Sequence, residues 1–280
     1  MCQVAIFLNA NNVVKRYAAV YFTCADDGIG RFDRSMLSQQ EFMELFIFGL
    51  NESEKIYGSR DDPDDLCEWE GVTCNADGEV EEFELTDKYE DGTGTVGFEF
   101  LPCSMKIVQM FRNALSGTVQ LADIPEKMEV VELDRNQLAG SLDLDRLPAT
   151  VRTLTLSRNK FTGEISLEHL PKCLEYLALS ENQLSGTICL TSLPPALESI
   201  RLEENNFQGS LDFTRLPKSI SKMYLSENRF SGTIDSGNLP KSMEDLDVRN
   251  NALSGTVRVA HGLRAFLDGN DELTVERIAE

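Results

Sequence analysis

Asparagine recurs at one fixed interval through most of this chain. Seven asparagines are each separated by 23 residues: Asn113, Asn136, Asn159, Asn182, Asn205, Asn228 and Asn251. Glycine keeps this interval from Gly117 to Gly255, and proline keeps it from Pro102 to Pro240. Three residue types in one register indicate repeated units, each of which buries its apolar side only against its neighbours. One elongated domain is therefore expected.

One repeat unit shows what each repeat does. In residues 151–171, VRTLTLSRNKFTGEISLEHLP, Leu154 and Leu156 alternate with Thr153 and Thr155. A period of two is typical of a half-buried strand, with the leucines inside and the threonines outside. Each unit is therefore predicted to add one parallel strand to a sheet.

The rest of the unit predicts a turn and an outer wall. The Asn159 amide is expected to satisfy backbone groups in the turn, and its repetition predicts a ladder of stacked asparagines. Gly163 is expected where a Cβ would block the backbone. Pro171 has no backbone N–H to donate, so the outer wall of the unit is expected to be extended or 3₁₀ and not α-helical.

These residues resemble the leucine-rich repeat family. The lines LTLSRNKFTGEI, LALSENQLSGTI and MYLSENRFSGTI are similar to its consensus, nearest the plant-specific class and related protist arrays. The resemblance implies an α/β-type solenoid: a right-handed superhelix with a parallel concave sheet, an extended or 3₁₀ outer wall and an N-terminal helical cap. CEWEGVTC is similar to the plant-type cap, which implies a Cys67–Cys74 disulfide and a Trp69 packed on the first strand.

The domain boundaries follow from the motifs. Ser38 and Glu41 form a capping-box pattern that predicts a helix reaching Leu50, with Phe48 in its apolar stripe. We expect a segment of unknown structure at 1–34, a cap at 35–78, an array of about eight units at 79–270 and a tail or cap at 271–280.

The net charge of the chain limits the classes of partner that it can bind. The net charge is −21, and residues 51–100 carry 17 acidic against three basic side chains. Such acidity argues against nucleic acid, whose binding needs a basic surface. The sequence contains no run of about 20 apolar residues, so no transmembrane segment is predicted. The compartment stays open: the chain start favours the cytoplasm slightly, whereas a bonded cysteine pair suits an oxidising compartment.

The family resemblance places recognition on the outward residues of the concave sheet. The binding candidates are Phe111, Arg135, Arg158, Tyr176, Arg201, Glu203, Lys222, Tyr224, Asp245, Asp247 and Arg249. The wider outward set adds Gln109, Arg112, Glu132, Asp134, Thr153, Thr155, Ala178, Glu181, Glu204 and Glu227. Aromatic residues and arginine are enriched at binding hot spots. Alternatively, this is a solvated sheet whose opposite charges pair across neighbouring strands.

The function predicted from these patterns is binding of a protein or peptide by a monomer. The two histidines, His169 and His261, lie far apart and assemble no acid–base set, so no catalytic residue, metal or cofactor is predicted. Two alternatives remain open. One is a scaffold that assembles through its outer wall or caps, and the other is a secreted or cell-surface recognition or inhibitor-like module.

Overall fold

The molecule is a solenoid built of two sheets. The computed structural model describes residues 37–58, 64–88, 94–235, 239–259 and 262–277. Within these ranges lie a ten-stranded concave sheet and an eight-stranded second sheet. The predicted superhelix with a parallel concave sheet is therefore confirmed. The predictions for residues 1–34 concern a segment outside the described residues.

Strands of the two sheets alternate along the chain. The concave sheet contains β1 (Val72–Cys74), β2 (Val80–Glu84), β3 (Ile107–Gln109), β5 (Val130–Glu132), β7 (Thr153–Thr155), β9 (Tyr176–Ala178), β11 (Ser199–Arg201), β13 (Lys222–Tyr224), β15 (Asp245–Asp247) and β17 (Arg264–Phe266). The second sheet contains β4 (Ser116–Thr118), β6 (Gln137–Gly140), β8 (Lys160–Glu164), β10 (Gln183–Gly186), β12 (Asn206–Gly209), β14 (Arg229–Asp235), β16 (Ala252–Val259) and β18 (Glu272–Arg277).

Equivalent residues of successive units form columns across the concave sheet. Thr153 in β7 lies opposite Val130 on one side and Tyr176 on the other, one repeat away in each direction. Such in-register pairing brings each side chain against its counterpart in the next unit. The exception is β1, which runs antiparallel to β2 in the cap.

Each unit adds the predicted parallel strand to the concave sheet, and each full unit adds a second strand, to the second sheet, that was not predicted. The glycines that punctuate the sequence lie in strands of the second sheet, with φ of +88° at Gly163 and +82° at Gly186. A Cβ on Gly186 would lie 2.7 Å from Cγ of Glu164. Glycine is thus required for its conformation and close packing, as expected. Gly140, Gly186 and Gly209 are the last residues of their strands, whereas the other repeated glycines lie within theirs. The wall then turns through short 3₁₀ segments such as Leu121–Asp123 and Leu144–Arg146, which confirms the extended or 3₁₀ wall.

The apolar core lies between the two sheets. Leu154 and Leu177 enter it from the concave sheet, and Phe161 and Phe207 enter it from the second sheet, all fully buried. Phe207 stacks on Phe230 of the next unit with ring centroids 6.2 Å apart. Because each unit stacks on the next, burial of apolar surface holds the array together along its length.

The repeated asparagine ties successive units together. Nδ2 of Asn159 donates to the carbonyls of Leu133 at 2.9 Å and Leu156 at 3.0 Å, and its Oδ1 accepts from the amide of Leu138 at 3.0 Å. The two carbonyls and the amide belong to two neighbouring units. One buried side chain therefore satisfies three backbone groups.

The ladder extends beyond the seven asparagines that the interval identified. Asn270 donates to the carbonyl of Val248 at 2.9 Å and accepts from the amide of Leu253 at 3.1 Å. At the other end, the Lys88 amide donates to Oδ1 of Asn113 at 3.0 Å, so Lys88 takes the ladder position of the first unit. The segment that follows Asn270 forms β18 and continues the second sheet.

The N-terminal cap is a short helix with a bonded loop. The helices are α1 (Gln39–Ile47) and α2 (Glu54–Tyr57), and Ser38 and Glu41 form the predicted capping box. α1 ends before the predicted Leu50, because the Phe46 carbonyl, which the Leu50 amide would use in a longer helix, accepts from Gly97 at 2.9 Å. The Leu50 amide donates instead to Ile47 at 2.9 Å. Phe48 was expected in the apolar stripe, but its exposed fraction is 48%.

The cap loop closes over the start of the array. Cys67 and Cys74 are bonded, with an S–S distance of 2.07 Å. Trp69 is buried, and its Nε1 donates to the carbonyl of Asp64 at 3.0 Å. No helix among the described residues is long and apolar enough to cross a membrane.

Candidate functional site

The concave sheet carries four columns of outward residues, counted back from the ladder asparagine. The residue one position before each asparagine adopts a left-handed conformation in every unit, with φ between 52° and 62° from Arg112 to Asn250. We call this the charged column: Arg112, Arg135, Arg158, Glu181, Glu204, Glu227 and Asn250. The other three columns hold residues two, four and six positions before the asparagine.

A depression of about 600 Å³ opens in the N-terminal half of this face. Its lining residues are Phe111, Arg112, Glu132, Asp134, Arg135, Thr155, Ser157, Arg158, Tyr176, Ala178, Ser180, Glu181, Arg201 and Glu203. Small buried side chains, Thr155, Ala178 and Ser180, form its floor. Larger side chains stand on either side, so the cavity is shaped by the order of small and large residues along the columns.

Six of the eleven predicted binding residues line the depression: Phe111, Arg135, Arg158, Tyr176, Arg201 and Glu203. The other five, Lys222, Tyr224, Asp245, Asp247 and Arg249, lie further along the same face. Ser157 and Ser180 belong to neither predicted set, yet their hydroxyls touch at 2.9 Å in the lining. Both serines lie two residues before a ladder asparagine, as does Asp134, which was in the predicted outward set. Extending that position to the next two units would have identified them.

Asp134 is the carboxylate at the floor of the depression. It accepts from the hydroxyl of Thr155, and its Oδ1 accepts from the Ser157 amide at 2.7 Å. Burial raises the pKa of Asp134, and the bonds from Thr155 and Ser157 partly offset that rise. These neutral donors hold the carboxylate in place without neutralising its charge.

The arginines around the depression differ in how they are paired. Arg112 lies 2.9 Å from Asp87, and Nε of Arg158 lies 2.5 Å from Oε1 of Glu181. Arg135 is exposed and has no ion pair with any residue the structure describes. Its guanidinium is therefore available to a ligand anion.

Arg201 separates the depression from the rest of the face. Its guanidinium bonds Oε1 of Glu203 at 2.8 Å and lies 4.8 Å from the ring centroid of Tyr224. Tyr176 lines the depression on one side of Arg201, while Tyr224 is covered by Arg201 on the other. The two tyrosines therefore do not face one shared cavity.

The C-terminal half of the face is closed by its own ion pairs. Asp245 is buried; Oδ2 of this side chain accepts from Tyr224 at 3.0 Å and from Arg264 at 2.6 Å. Asp247 is also buried and bonds Arg249 at 2.6 Å. Burial and then the bond to Asp245 raise the pKa of Tyr224.

Groups with catalytic potential lie elsewhere. His169 is exposed on the outer wall, with Nδ1 3.3 Å from Asp145, and His261 is outside the described residues. No cluster of three or more metal-binding side chains occurs in the described parts of the chain. The lining of the depression contains arginines, carboxylates, hydroxyls and two aromatic rings, which suit polar and stacking contacts.

The comparisons identify the fold. No family model and no curated protein matches the chain. Among solved structures, it is similar to the leucine-rich repeat ectodomain of the plant membrane receptor kinase GASSHO1/SCHENGEN3 from Arabidopsis thaliana, solved in complex with CASPARIAN STRIP INTEGRITY FACTOR 2, at 23% identity and a TM-score of 0.61. That match covers 79% of this chain but only 28% of the ectodomain.

A second similar structure is a plant ice-binding protein, at 19% identity and a TM-score of 0.50. The match covers 85% of this chain and 97% of that protein. Together with the repeats, the ladder and the parallel concave sheet, these likenesses show that the chain has the leucine-rich repeat fold.

Proposed function

We propose that this chain is a non-enzymatic binding protein that holds a peptide or a segment of another protein in the depression on its concave sheet. The observation that carries the proposal is an exposed Arg135, with no ion pair among the described residues, and a half-buried Tyr176 that both line one depression over a floor of buried small side chains. An aromatic ring and a cation able to bond an anion bidentately are typical of interface hot spots.

Binding is favoured over catalysis by the chemistry of the lining. The 14 lining residues include no histidine, cysteine or lysine. Asp134 is held by a threonine hydroxyl and a backbone amide, so it is positioned as a fixed charge and not as the partner of a nucleophile. The similar receptor-kinase ectodomain was solved in complex with another factor, which agrees with binding by this fold.

The test is capture followed by direct measurement. Wild type, Arg135→Ala/Tyr176→Ala and a matched control, Lys222→Ala, are used to capture proteins from a native lysate. Partners lost only with the double variant are then purified and titrated by calorimetry. We expect the double variant to weaken the Kd at least about tenfold and the control to leave it within about twofold. Equal affinities for all three proteins would move binding to the outer wall or the caps, as a scaffold requires.

A second candidate function rests on the second sheet. Exposed hydroxyl side chains occupy one outward position in seven of eight consecutive units: Thr118, Ser141, Thr187, Ser210, Thr233, Thr256 and Thr274. Glu164 interrupts the series. Regularly spaced hydroxyls on a rigid sheet order first-shell water, and the similar plant protein of this fold binds ice.

An ice-growth assay separates the two candidates. Under the second, the protein slows recrystallisation of ice, and Thr233→Lys/Thr256→Lys removes that effect while Arg135→Ala/Tyr176→Ala keeps it. Ice growth that is unchanged at millimolar protein concentration would rule the second candidate out.

A further inference from the structure

Charge along the charged column is segregated by sign. Three arginines occupy its N-terminal half, Arg112, Arg135 and Arg158, and three glutamates follow, Glu181, Glu204 and Glu227. Neighbouring strands are about 4.8 Å apart, so the column passes from cations to anions within one step. Each half of the column therefore presents one sign of charge to a ligand.

Three of these six charges are paired with an opposite charge, and Arg112 finds its partner outside the column, in Asp87. Arg158 and Glu181 neutralise each other at the junction, 2.5 Å apart. At the C-terminal end, Glu227 accepts from Nδ2 of Asn250. Arg135 and Glu204 are left with no side-chain partner among the described residues.

The surroundings of Glu204 show that this arrangement is unfavourable in the free protein. Burial, and then the charges of Glu181 and Glu227 on either side, raise the pKa of Glu204. Like charges at equivalent positions of neighbouring units, about 4.8 Å apart along the array, repel one another. An alternating order of the same six residues would pair each cation with an anion. The order present keeps Arg135 and Glu204 unpaired, with charges of opposite sign, on one line.

The distance between these two charges defines a ligand. Arg135 and Glu204 are three strands apart, which corresponds to about 14 Å. An extended polypeptide advances about 3.4 Å per residue, so about four residues span that distance. Between them in the charged column lie Arg158 and Glu181, which pair with each other, so the middle of the segment faces no net charge.

We propose that the ligand is an extended polypeptide segment with an acidic side chain on Arg135 and a basic side chain about four residues away on Glu204. The segment runs across the strands, along the axis of the solenoid, with its centre in the depression. This inference rests on the proposed function, and it adds the charge pattern and length of the segment that binds.

The test uses fluorescein-labelled synthetic peptides and fluorescence anisotropy at low ionic strength. The first ten-residue peptide has two glutamates near one end, two lysines near the other and three neutral residues between them, so the nearest opposite charges are four positions apart. The second has the same composition with the four charges interleaved, and a third and fourth carry only glutamates or only lysines. We expect the first peptide to bind at least about tenfold more tightly than the second.

A charge-swapped variant supplies the matched control. Arg135→Glu/Glu204→Lys keeps the net charge but converts the column to strict alternation of sign. We expect it to lose at least about tenfold in affinity for the first peptide and to melt at the same or a higher temperature, because both positions are exposed and the like-charge contacts are relieved. Its melting temperature shows that loss of binding is not loss of folding.

The outcomes separate the inference from the proposed function. Equal binding of the first and second peptides, or unchanged binding by the swapped variant, would overturn the bipolar segment. If a single-sign peptide binds best and Tyr176→Ala abolishes that binding, the depression remains the binding site and the charge pattern is wrong. If no peptide shows saturable binding up to about 1 mM, the bipolar segment is overturned, and the capture experiment alone decides whether the depression binds a partner.

Discussion

The two halves of the concave face are built from equivalent positions but satisfy their charges differently. In the C-terminal half, Asp245 and Asp247 are buried and bonded to Tyr224, Arg264 and Arg249. In the N-terminal half, smaller residues at equivalent positions leave a depression. The backbone repeats in the same way in both halves. The surface that a ligand can reach is therefore set by the side chains, at the positions where they leave a charge unpaired or a space unfilled.

The largest effect should be common to both halves, because the asparagine ladder runs beneath each. We expect Asn159→Ala, under the depression, and Asn228→Ala, under the closed half, each to lower the free energy of unfolding by about 1–3 kcal/mol. Both remove a side chain that bonds three or more backbone groups. Urea denaturation measures the losses. If only one of the two variants lost stability, the two halves would differ in their backbone interactions as well as in their surface charges.

The second-largest effect should come from neutralising one carboxylate, and it should differ between the two halves. We expect Asp245→Asn to cost about 1–2 kcal/mol of unfolding free energy, because it weakens charge-assisted bonds to Tyr224 and to an exposed Arg264. Glu204→Gln, the matched change in the charged column, should be neutral or slightly stabilising. Equal destabilisation by the two changes would mean that Glu204 has a folding role and is not held for a ligand.

Much of the fold follows from the sequence because equivalent residues recur every 23 positions, and the two features that were missed were missed for different reasons. The interval of 23 located seven ladder asparagines, but Asn270 follows Asn251 by only 19 residues and was not found. The second sheet was missed because Gly163 looks like a turn residue, whereas its positive φ occurs within a paired strand.

The candidate site was less predictable than the fold. The outward positions could be identified from the period of two, but pairing depends on side-chain conformations that the period does not specify. Arg135 and Arg158 are adjacent members of one column, yet only Arg158 finds a carboxylate. The depth of the depression likewise depends on Ala178 and Ser180 being small where Arg201 and Glu203, one unit later, are large.

Two threonines of one strand should differ in a smaller way. Thr153 and Thr155 were both expected to face solvent, but Thr155 is buried and donates to Asp134. We expect Thr155→Ala to cost about 1 kcal/mol, because it removes a donor from a half-buried carboxylate, and Thr153→Ala to stay within about 0.5 kcal/mol. Thermal unfolding of the two variants side by side measures this. If the two variants lost equal stability, the hydrogen bond between Thr155 and Asp134 would make no contribution to the stability of the depression's floor.

The smallest effect is a pH dependence of opposite sign at two aspartates. Burial raises the pKa of Asp134 above its unfolded value, so protonated Asp134 is favoured by folding. Its contribution to stability is present at low pH and is lost as pH rises through the raised pKa. The hydrogen bonds of Thr214, on the outer wall, lower the pKa of Asp212, so that contribution is present above the unfolded pKa and is lost as pH falls. Urea titrations from pH 7 towards pH 4 should therefore show wild type gaining stability relative to Asp134→Asn but losing it relative to Asp212→Asn. The same slope for both variants would mean that the Asp134 carboxylate is as well solvated as one on the outer wall, and the depression would then have no desolvated charge to offer a ligand.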